Sequence, residues 1–570
     1  MTTSSKPSNG VASNGSAHPP STHTDVASTL GRDHSSTTNP RRTRGFYVAA
    51  LIAGAVWFVT PASWLTVLYY LVLRPLLKGD RLPSAGLARY MPAVHAPLAS
   101  KFWFYYACQE VPFSIYLRYL MRQAQKPRPL PKIDTDMLEK LLTKCLEVGL
   151  SREDVKAAEQ VAANNVAKRR RGMQNGNGKH DEEEVAHQGV AALKDRLIHQ
   201  EEADEQREKL RIWFHYAPLD EIYADNVRQW LAWAFAGREL EQVKADAEIY
   251  QLVEAALEMT KIRLQWFDLK PGYNPKHKPL RLTIDPVKVL QRPLGHYVVV
   301  NSVTAATITW LRLAHGFRYE HVGRCSFLVK PPMSSASSNR KELPILFLHG
   351  LGIGIGQYQR FLQRLARHKD GVVIMIQPHI SAGIYSSHFL EPPEKNEQAQ
   401  ATVEVLKRHS MDRVTVLSHS NGTMVHGWIL RTAPEMCARN VLVDPVSFCL
   451  WQGAVCYAFV YRKWATFIEV LLGYFVAREV GVAHTIGRRF IWSDMCLWAD
   501  ELPTLDPKDT HFILAEKDLL VDVPASTQYL LEAGVDPSTI DVVKGYQHGK
   551  ALMFDGEGMD LATKHACINY

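Results

Sequence analysis

The sequence lacks a C-x-x-C pair, and its eight cysteines (Cys108, Cys145, Cys325, Cys437, Cys449, Cys456, Cys496 and Cys567) do not gather near histidines. That excludes a zinc ribbon and a dense disulfide framework, and free thiols on a cytosolic face are the plain expectation. It also lacks a basic stripe with interleaved aromatics. The formal charge is +8, but Lys and Arg are scattered, so no nucleic-acid partner is expected. No repeat at solenoid spacing is evident. The one glycine-rich loop, "GLGIGIG" (350 to 356), alternates its glycines instead of following G-x-G-x-x-G, and no acidic residue follows about twenty positions on, which argues against a dinucleotide. Neither a cofactor nor a metal is expected.

Two local absences divide the chain. Residues 1 to 40 hold hardly an aliphatic run, so a polar tail over 1 to 44 is expected to be disordered. From Gly45 through Leu73 no charged residue occurs, in "GFYVAALIAGAVWFVTPASWLTVLYYLVL". As one helix this run is about 43 Å long, against a hydrocarbon core of about 30 Å, so residues 45 to 78 are expected to anchor the chain in a membrane. Pro61 either kinks a single span, the favoured reading, or turns a short hairpin. Basic residues flank both ends (Arg41, Arg42, Arg44; Arg74, Lys78, Arg81), so charge does not fix the orientation.

Residues 79 to 319 read as a helical region. Its aromatic segment "KFWFYYACQEVPFSIYLRYLMR" suits an interfacial or a packed helix. The tract 168 to 184, "KRRRGMQNGNGKHDEEE", reads as a solvated, disordered insertion. Segment 293 to 310 is free of formal charge but carries His296, Asn301, Ser302 and three threonines, and is expected as a helix beside the next domain, touching lipid.

Short apolar runs alternating with amphipathic helices fill residues 320 to 570, the pattern of a mostly parallel sheet covered on both faces. Strands are expected at 344–350, 372–378, 413–418, 440–446, 511–516 and in "IDVV". Helices are expected in "QYQRFLQRLARH", "EKNEQAQATVEVLKRH" and "TMVHGWILRTA". Where the third strand meets its helix stands "SHSNG", with Ser420 flanked two places either side by Ser418 and Gly422. A nucleophilic hydroxyl must be held clear of the backbone, and a tight strand-to-helix turn does this only where those two positions are small.

On these residues the region resembles the α/β-hydrolase superfamily, with serine at 418 where glycine is usual. The resemblance implies an α/β-hydrolase fold with an inserted helical lid over 447 to 510, preceded by the helical region and the transmembrane segment. It implies Ser420 as nucleophile, His548 in "YQHGK" as base, and Asp518 in the turn after "HFILAE" as the orienting acid. Asp444, in "VLVDPV", is the alternative acid; Glu516 and Asp522 rank lower. From "FLHGLG", the backbone N–H groups of Leu351 and Asn421 are the expected oxyanion-binding donors. In the lid, Phe467, Val470, Leu471, Tyr474 and Phe475 form an apolar stripe, expected either to pack on the sheet domain or to line an acyl channel.

The expected function is a membrane-anchored serine esterase or lipase that cleaves a lipophilic carboxylic ester through an acyl-enzyme. Its partners are the substrate and membrane lipids. An acyltransferase, a thioesterase and a non-catalytic membrane scaffold stay open as alternatives. The sequon Asn421-Gly422-Thr423 inside the elbow leans toward a cytosolic catalytic face; the organelle is left open, with the endoplasmic reticulum as the working expectation.

Overall fold

The computed structural model describes residues 39–74, 97–128, 140–141, 144–145, 200–266, 268–332, 342–368 and 371–567. The tail before residue 39 and the tract 168–184 lie outside the described residues.

Helix α1 (Arg44–Leu73) starts at a Thr43 cap and runs through Pro61 without a break, so it is one long helix and not a re-entrant turn. Helix α2 (Leu98–Gln123) lies against it. Three side-chain hydrogen bonds tie the pair: Thr60 Oγ1 to Glu110 Oε1 at 2.6 Å, Trp64 Nε1 to Ser114 Oγ at 2.9 Å, and Trp103 Nε1 to Thr66 Oγ1 at 2.8 Å. The aromatic segment is therefore packed along one face. Three helices of the central region, α3 (Gln200–Ile212), α4 (Ala224–Ala236) and α5 (Ala247–Arg263), precede α6 (Leu294–His315). The α6 N-terminus leaves N–H groups unpaired within the helix, and Glu110 Oε2 takes that of Leu294 at 2.6 Å, where a carboxylate also meets the favourable end of the helix dipole.

Eight strands form one sheet: β1 (Arg318–Val322), β2 (Cys325–Lys330), β3 (Ile345–Leu348), β4 (Val372–Ile376), β5 (Val414–His419), β6 (Cys437–Val443), β7 (Thr510–Ala515) and β8 (Ile540–Val543). Their order is β1-β2-β4-β3-β5-β6-β7-β8; β2 is antiparallel to both neighbours and all other pairs are parallel. The sheet begins at Arg318, and its first two strands were not among the expected ones. β1, "RYEHV", sits at the edge with mostly exposed or half-buried residues, so it carries little apolar signal.

Alternation along the strands splits the core in two. Leu346, Leu348, Val414, Val416 and Leu442 point to one face, covered by α8 (Lys395–Arg408) and α9 (Gly422–Thr432). Ile345, Phe347, Leu417, Val441 and Val443 point to the other, covered by α7 (Gln359–Leu365) and α13 (Glu557–Ala566). Between β6 and β7 the chain makes α10 (Phe467–Ala477) and α11 (Val480–Arg489), and α12 (Val523–Glu532) joins β7 to β8.

The stripe on α10 packs differently from either expectation. Val470 and Tyr474 close on Ala49 and Ala53 of α1, with Phe46, Phe467, Leu471 and Phe475 around them. An apolar stripe needs burial but does not name its partner, and here the partner is the N-terminal helix. The central helices likewise pack on the inserted segment. Trp213, Leu231, Trp233, Val253 and Leu257 share a core with Met424, Ile486, Trp492 and Leu514. Trp213 Nε1 donates to the Trp451 carbonyl and Trp492 Nε1 to that of Ala234, at 2.9 and 2.7 Å.

Candidate active site

β5 is buried along its whole length, and Val414, Thr415 and Val416 favour extended backbone. The chain then turns sharply into α9. Ser420 takes φ +52°, a left-handed conformation that costs a non-glycine residue about 1–3 kcal/mol. Its N–H donates to the Val443 carbonyl at 3.0 Å, so pairing with β6 holds the turn. Crowding sets the neighbours. A Cβ on Gly422 would stand 2.2 Å from the Leu348 carbonyl oxygen, and one on Gly350 would stand 2.7 Å from the Ser420 Cβ. At 418 a serine fits because its hydroxyl is used: Oγ donates to His426 Nδ1 at 2.8 Å, while His426 Nε2 donates to Asn440 Oδ1 at 3.0 Å. Burial lowers the His426 pKa to about 4, so this ring is neutral.

The His548 ring bridges two elements. Its Nε2 lies 2.8 Å from Ser420 Oγ and its Nδ1 2.7 Å from Asp518 Oδ2. Asp518 is held by the turn after β7, where Oδ1 accepts the N–H groups of Leu520 and Val521 at 2.7 and 3.0 Å. Burial alone would lower the His548 pKa. The charge and hydrogen bond of Asp518, with the charge of Asp444, outweigh that and push it up to about 9.

Asp444 is also fully buried but bonds neither ring nitrogen. Its Oδ1 accepts the Ala515 N–H at 2.9 Å and its Oδ2 the Gly549 N–H at 2.7 Å, so it brackets the end of β7 to the loop that carries His548. Burial pushes its carboxyl up to about 6, against the nearby charge of His548. The other two acids lie elsewhere: Glu516 accepts the Gly545 N–H, and Asp522 caps α12.

On the opposite side of Ser420, β3 is followed by His349-Gly350. The Gly350 N–H donates to the Tyr358 hydroxyl at 3.0 Å, and that hydroxyl lies 2.8 Å from His419 Nδ1. Nothing in the sequence pointed to this Tyr358–His419 pair. Burial, then the neighbouring His548 and His349, hold the His419 pKa well below the ordinary histidine range. Among the described residues, the backbone N–H groups of Leu351 and Asn421 donate to no protein acceptor. The alternating glycines have a steric cause: Gly354 takes φ +90°, and a Cβ there would meet Thr304 Oγ1 at 2.2 Å, while one on Gly356 would meet Val303 Cγ1 at 2.5 Å. The loop thus lies on α6 with no room for side chains.

A cavity of about 850 Å³ opens beside Asn421. Met424, Val425 and Trp428 of α9, Ile486, Phe490 and Trp492 of the inserted segment, and Trp233 to Ala236 of α4 line it together with polar residues such as Gln377, His379 and Gln398. Arg128, Glu394 and Arg489 form linked ion pairs at its rim.

Two clusters among the described residues bring together groups of the kind that bind metals: Asp444, Asp518 and His548, and Glu342, His368 and Cys567. In the first, every carboxylate oxygen already accepts a hydrogen bond from an amide or from the ring. In the second, His368 contacts Glu342 through one nitrogen and the Leu343 carbonyl through the other.

No family model matches the chain, and no curated protein does. Among solved structures, a membrane phospholipase A described as a bacterial virulence factor is 17% identical, over 47% of this chain and 92% of its own, with a TM-score of 0.33. A naproxen esterase of Bacillus subtilis is 11% identical over 45% and 92%, with a TM-score of 0.31. A peroxisomal α/β-hydrolase of Saccharomyces cerevisiae is 13% identical over 44% and 87%, with a TM-score of 0.29. Likenesses this distant carry no argument about activity, and the assignment rests on the sheet itself. Strand order, the antiparallel β2 within a parallel sheet, and a left-handed serine between β5 and its helix give residues 318–566 an α/β-hydrolase fold.

Proposed function

We propose that the chain is a membrane-anchored serine hydrolase that cleaves lipophilic carboxylic esters through an acyl-enzyme. One observation carries this reading: a single imidazole, His548, stands within hydrogen-bond reach of both the Ser420 hydroxyl and the Asp518 carboxylate. As Ser420 Oγ attacks the ester carbonyl, its proton passes to His548 Nε2. Asp518 keeps the Nδ1 proton facing it and stabilises the imidazolium. The amides of Leu351 and Asn421 donate to the oxyanion, a contribution of about 3 kcal/mol for one donor. The imidazolium then protonates the leaving alcohol. Water attacks the acyl-serine, His548 takes its proton, and Ser420 is regenerated as the acid leaves. Asp444 touches neither reactant and acts as a positioning residue for the His548 loop.

The cavity beside Asn421 suits the acyl chain along its apolar side, where Met424, Val425, Trp428, Trp233, Phe235 and Phe490 line it, while polar and charged residues line the rest. In this reading the central helices are part of the substrate site through α4. The apolar α1 is the anchor, which fits a substrate drawn from a lipid phase.

The test is labelling of the detergent-solubilised protein with a fluorophosphonate probe beside Ser420→Ala. Wild type is expected to label and the variant to stay blank; labelling of both, or of neither, refutes the serine mechanism. Ala234→Trp tests the pocket: it is expected to lower kcat/KM for long-chain p-nitrophenyl esters at least tenfold while short-chain turnover stays within twofold. An equal effect on both would remove the acyl chain from this cavity.

A further inference from the structure

Helix α2 carries polar and charged residues, yet its faces are sharply divided. Glu110 and Ser114 point inward, where Thr60 and Trp64 of α1 bond them. Outward point Leu98, Phe102, Tyr105, Ile115, Tyr116 and Tyr119, with Leu98 83% and Phe102 72% exposed. Gln109 shares this face and turns its amide back onto the Tyr105 carbonyl. Leu98 to Tyr119 rises about 33 Å, close to the hydrocarbon thickness of about 30 Å. Averaged along the sequence, the inward Glu110 and the basic residues near the C-terminal end mask this; from Leu98 to Tyr116 the exposed surface is apolar apart from Gln109.

The neighbouring helices continue the same surface. α1 exposes Leu51, Phe58 and Leu65, and α6 exposes Val298, Val299 and Val303. Large contiguous apolar patches on a folded chain mark a partner. Continuity with a helix long and apolar enough to cross a bilayer makes that partner lipid.

The ends of the pair fix its direction. Thr60 meets Glu110, Thr66 meets Trp103 and the Tyr70 ring packs on Phe104, while the long Trp64 side chain reaches back to Ser114; the C-terminal end of α1 thus lies by the N-terminal half of α2, and the two run antiparallel. Before α1, the Thr43 N–H donates to the Ala465 carbonyl at 2.9 Å. After α2, Gln125 exchanges two hydrogen bonds with the backbone of Val287, at 2.8 and 2.9 Å. Both outer ends therefore rest on the body that holds Ser420. Basic residues gather there, Arg41, Arg42 and Arg44 on one strand and Arg118, Arg122, Lys126 and Arg128 on the other, as suits a headgroup layer.

We propose that α1 and α2 form a lipid-embedded hairpin, with the C-terminal end of α1 and the N-terminal end of α2 directed away from the catalytic centre and the two outer ends on its side. This rests on the membrane-anchor reading above but differs from it, since a single-pass anchor would put residues 42 and 126 on opposite sides.

The test uses the full chain in sealed microsomes from expressing cells, with Cys108→Ser as the parent. Single cysteines are introduced as Arg42→Cys, Lys126→Cys, Arg74→Cys and Leu98→Cys. Each is treated with a membrane-impermeant polyethylene-glycol maleimide before and after detergent. The expected result is that Arg42→Cys and Lys126→Cys behave alike, while Arg74→Cys and Leu98→Cys show the opposite accessibility. If Lys126→Cys instead follows Arg74→Cys and Leu98→Cys, the hairpin is wrong and a single-pass anchor stands. If all four label fully without detergent and alkali strips the protein from the membrane, the hairpin and the anchor both fall.

Discussion

Two buried carboxylates stand beside His548, and an asparagine at each separates their tasks. In Asp518→Asn the carbonyl oxygen can still accept the amides of Leu520 and Val521, which leaves the NH2 group facing His548 Nδ1. The ring must then keep its proton on Nε2, where it cannot accept the one from Ser420. The expected loss in kcat is on the order of 10⁴-fold, with little change in stability; the figure is that of the corresponding substitution in a serine-protease triad. In Asp444→Asn one oxygen remains for two amides, those of Ala515 and Gly549, so one buried N–H is orphaned. That costs about 1–3 kcal/mol of stability. The accompanying shift of the His548 loop is expected to lower kcat by no more than about 10²-fold. Turnover of a short-chain ester and the denaturant midpoint by tryptophan fluorescence are measured on both variants. The reasoning fails if Asp444→Asn abolishes turnover at an unchanged midpoint while Asp518→Asn stays within about tenfold of wild type.

Three further outcomes follow from the site. Gly422→Ala drives a Cβ toward the Leu348 carbonyl, so fluorophosphonate labelling is expected to drop at least tenfold in folded protein; retained labelling would mean the elbow has slack. Ser418→Gly restores the commoner elbow residue yet strands His426 Nδ1, and is expected to destabilise by about 1–3 kcal/mol; a more stable variant would refute the role of that hydroxyl. His548 must lose its proton to act as base, so kcat/KM is expected to rise with pH through a midpoint above the ordinary 6.5, toward 9, and a midpoint at or below 6.5 contradicts the pairing. The same raised proton affinity stabilises the fold fully below about 6.5 and fades as pH climbs through about 9, a dependence Asp518→Asn should flatten.

How far the sequence could be read depended on the range of the forces involved. The elbow is legible because its constraint is local: the small residues at 418 and 422 and the apolar strand before them are one stretch of chain. The chain order Ser420, Asp518, His548 is what the resemblance implies, and the sequence adds only that each falls in a turn or loop after an apolar run; Asp444 meets the same description. The work of Asp444 is not legible, since its partners lie 71 and 105 residues away and a backbone N–H has no residue type. The Tyr358–His419 pair, 61 residues apart, was equally silent. Periodicity revealed that α10 buries a face but could not choose between the sheet and α1. β1 carries little signal because an edge strand keeps polar residues, and β2, one short apolar run, has no amphipathic helix pattern after it in the sequence to mark it as part of the parallel pattern.

The seat of the glycine loop on α6 bears on where an active fragment can begin. Thr304 and Val303 fill the space that side chains at 354 and 356 would occupy, yet both precede the first strand. A truncation starting at residue 317 would keep Ser420, His548 and Asp518 while removing the α6 surface on which Gly354 and Gly356 rest. A fragment that keeps this seat therefore starts upstream of Leu294, and the sheet by itself is a body without its floor.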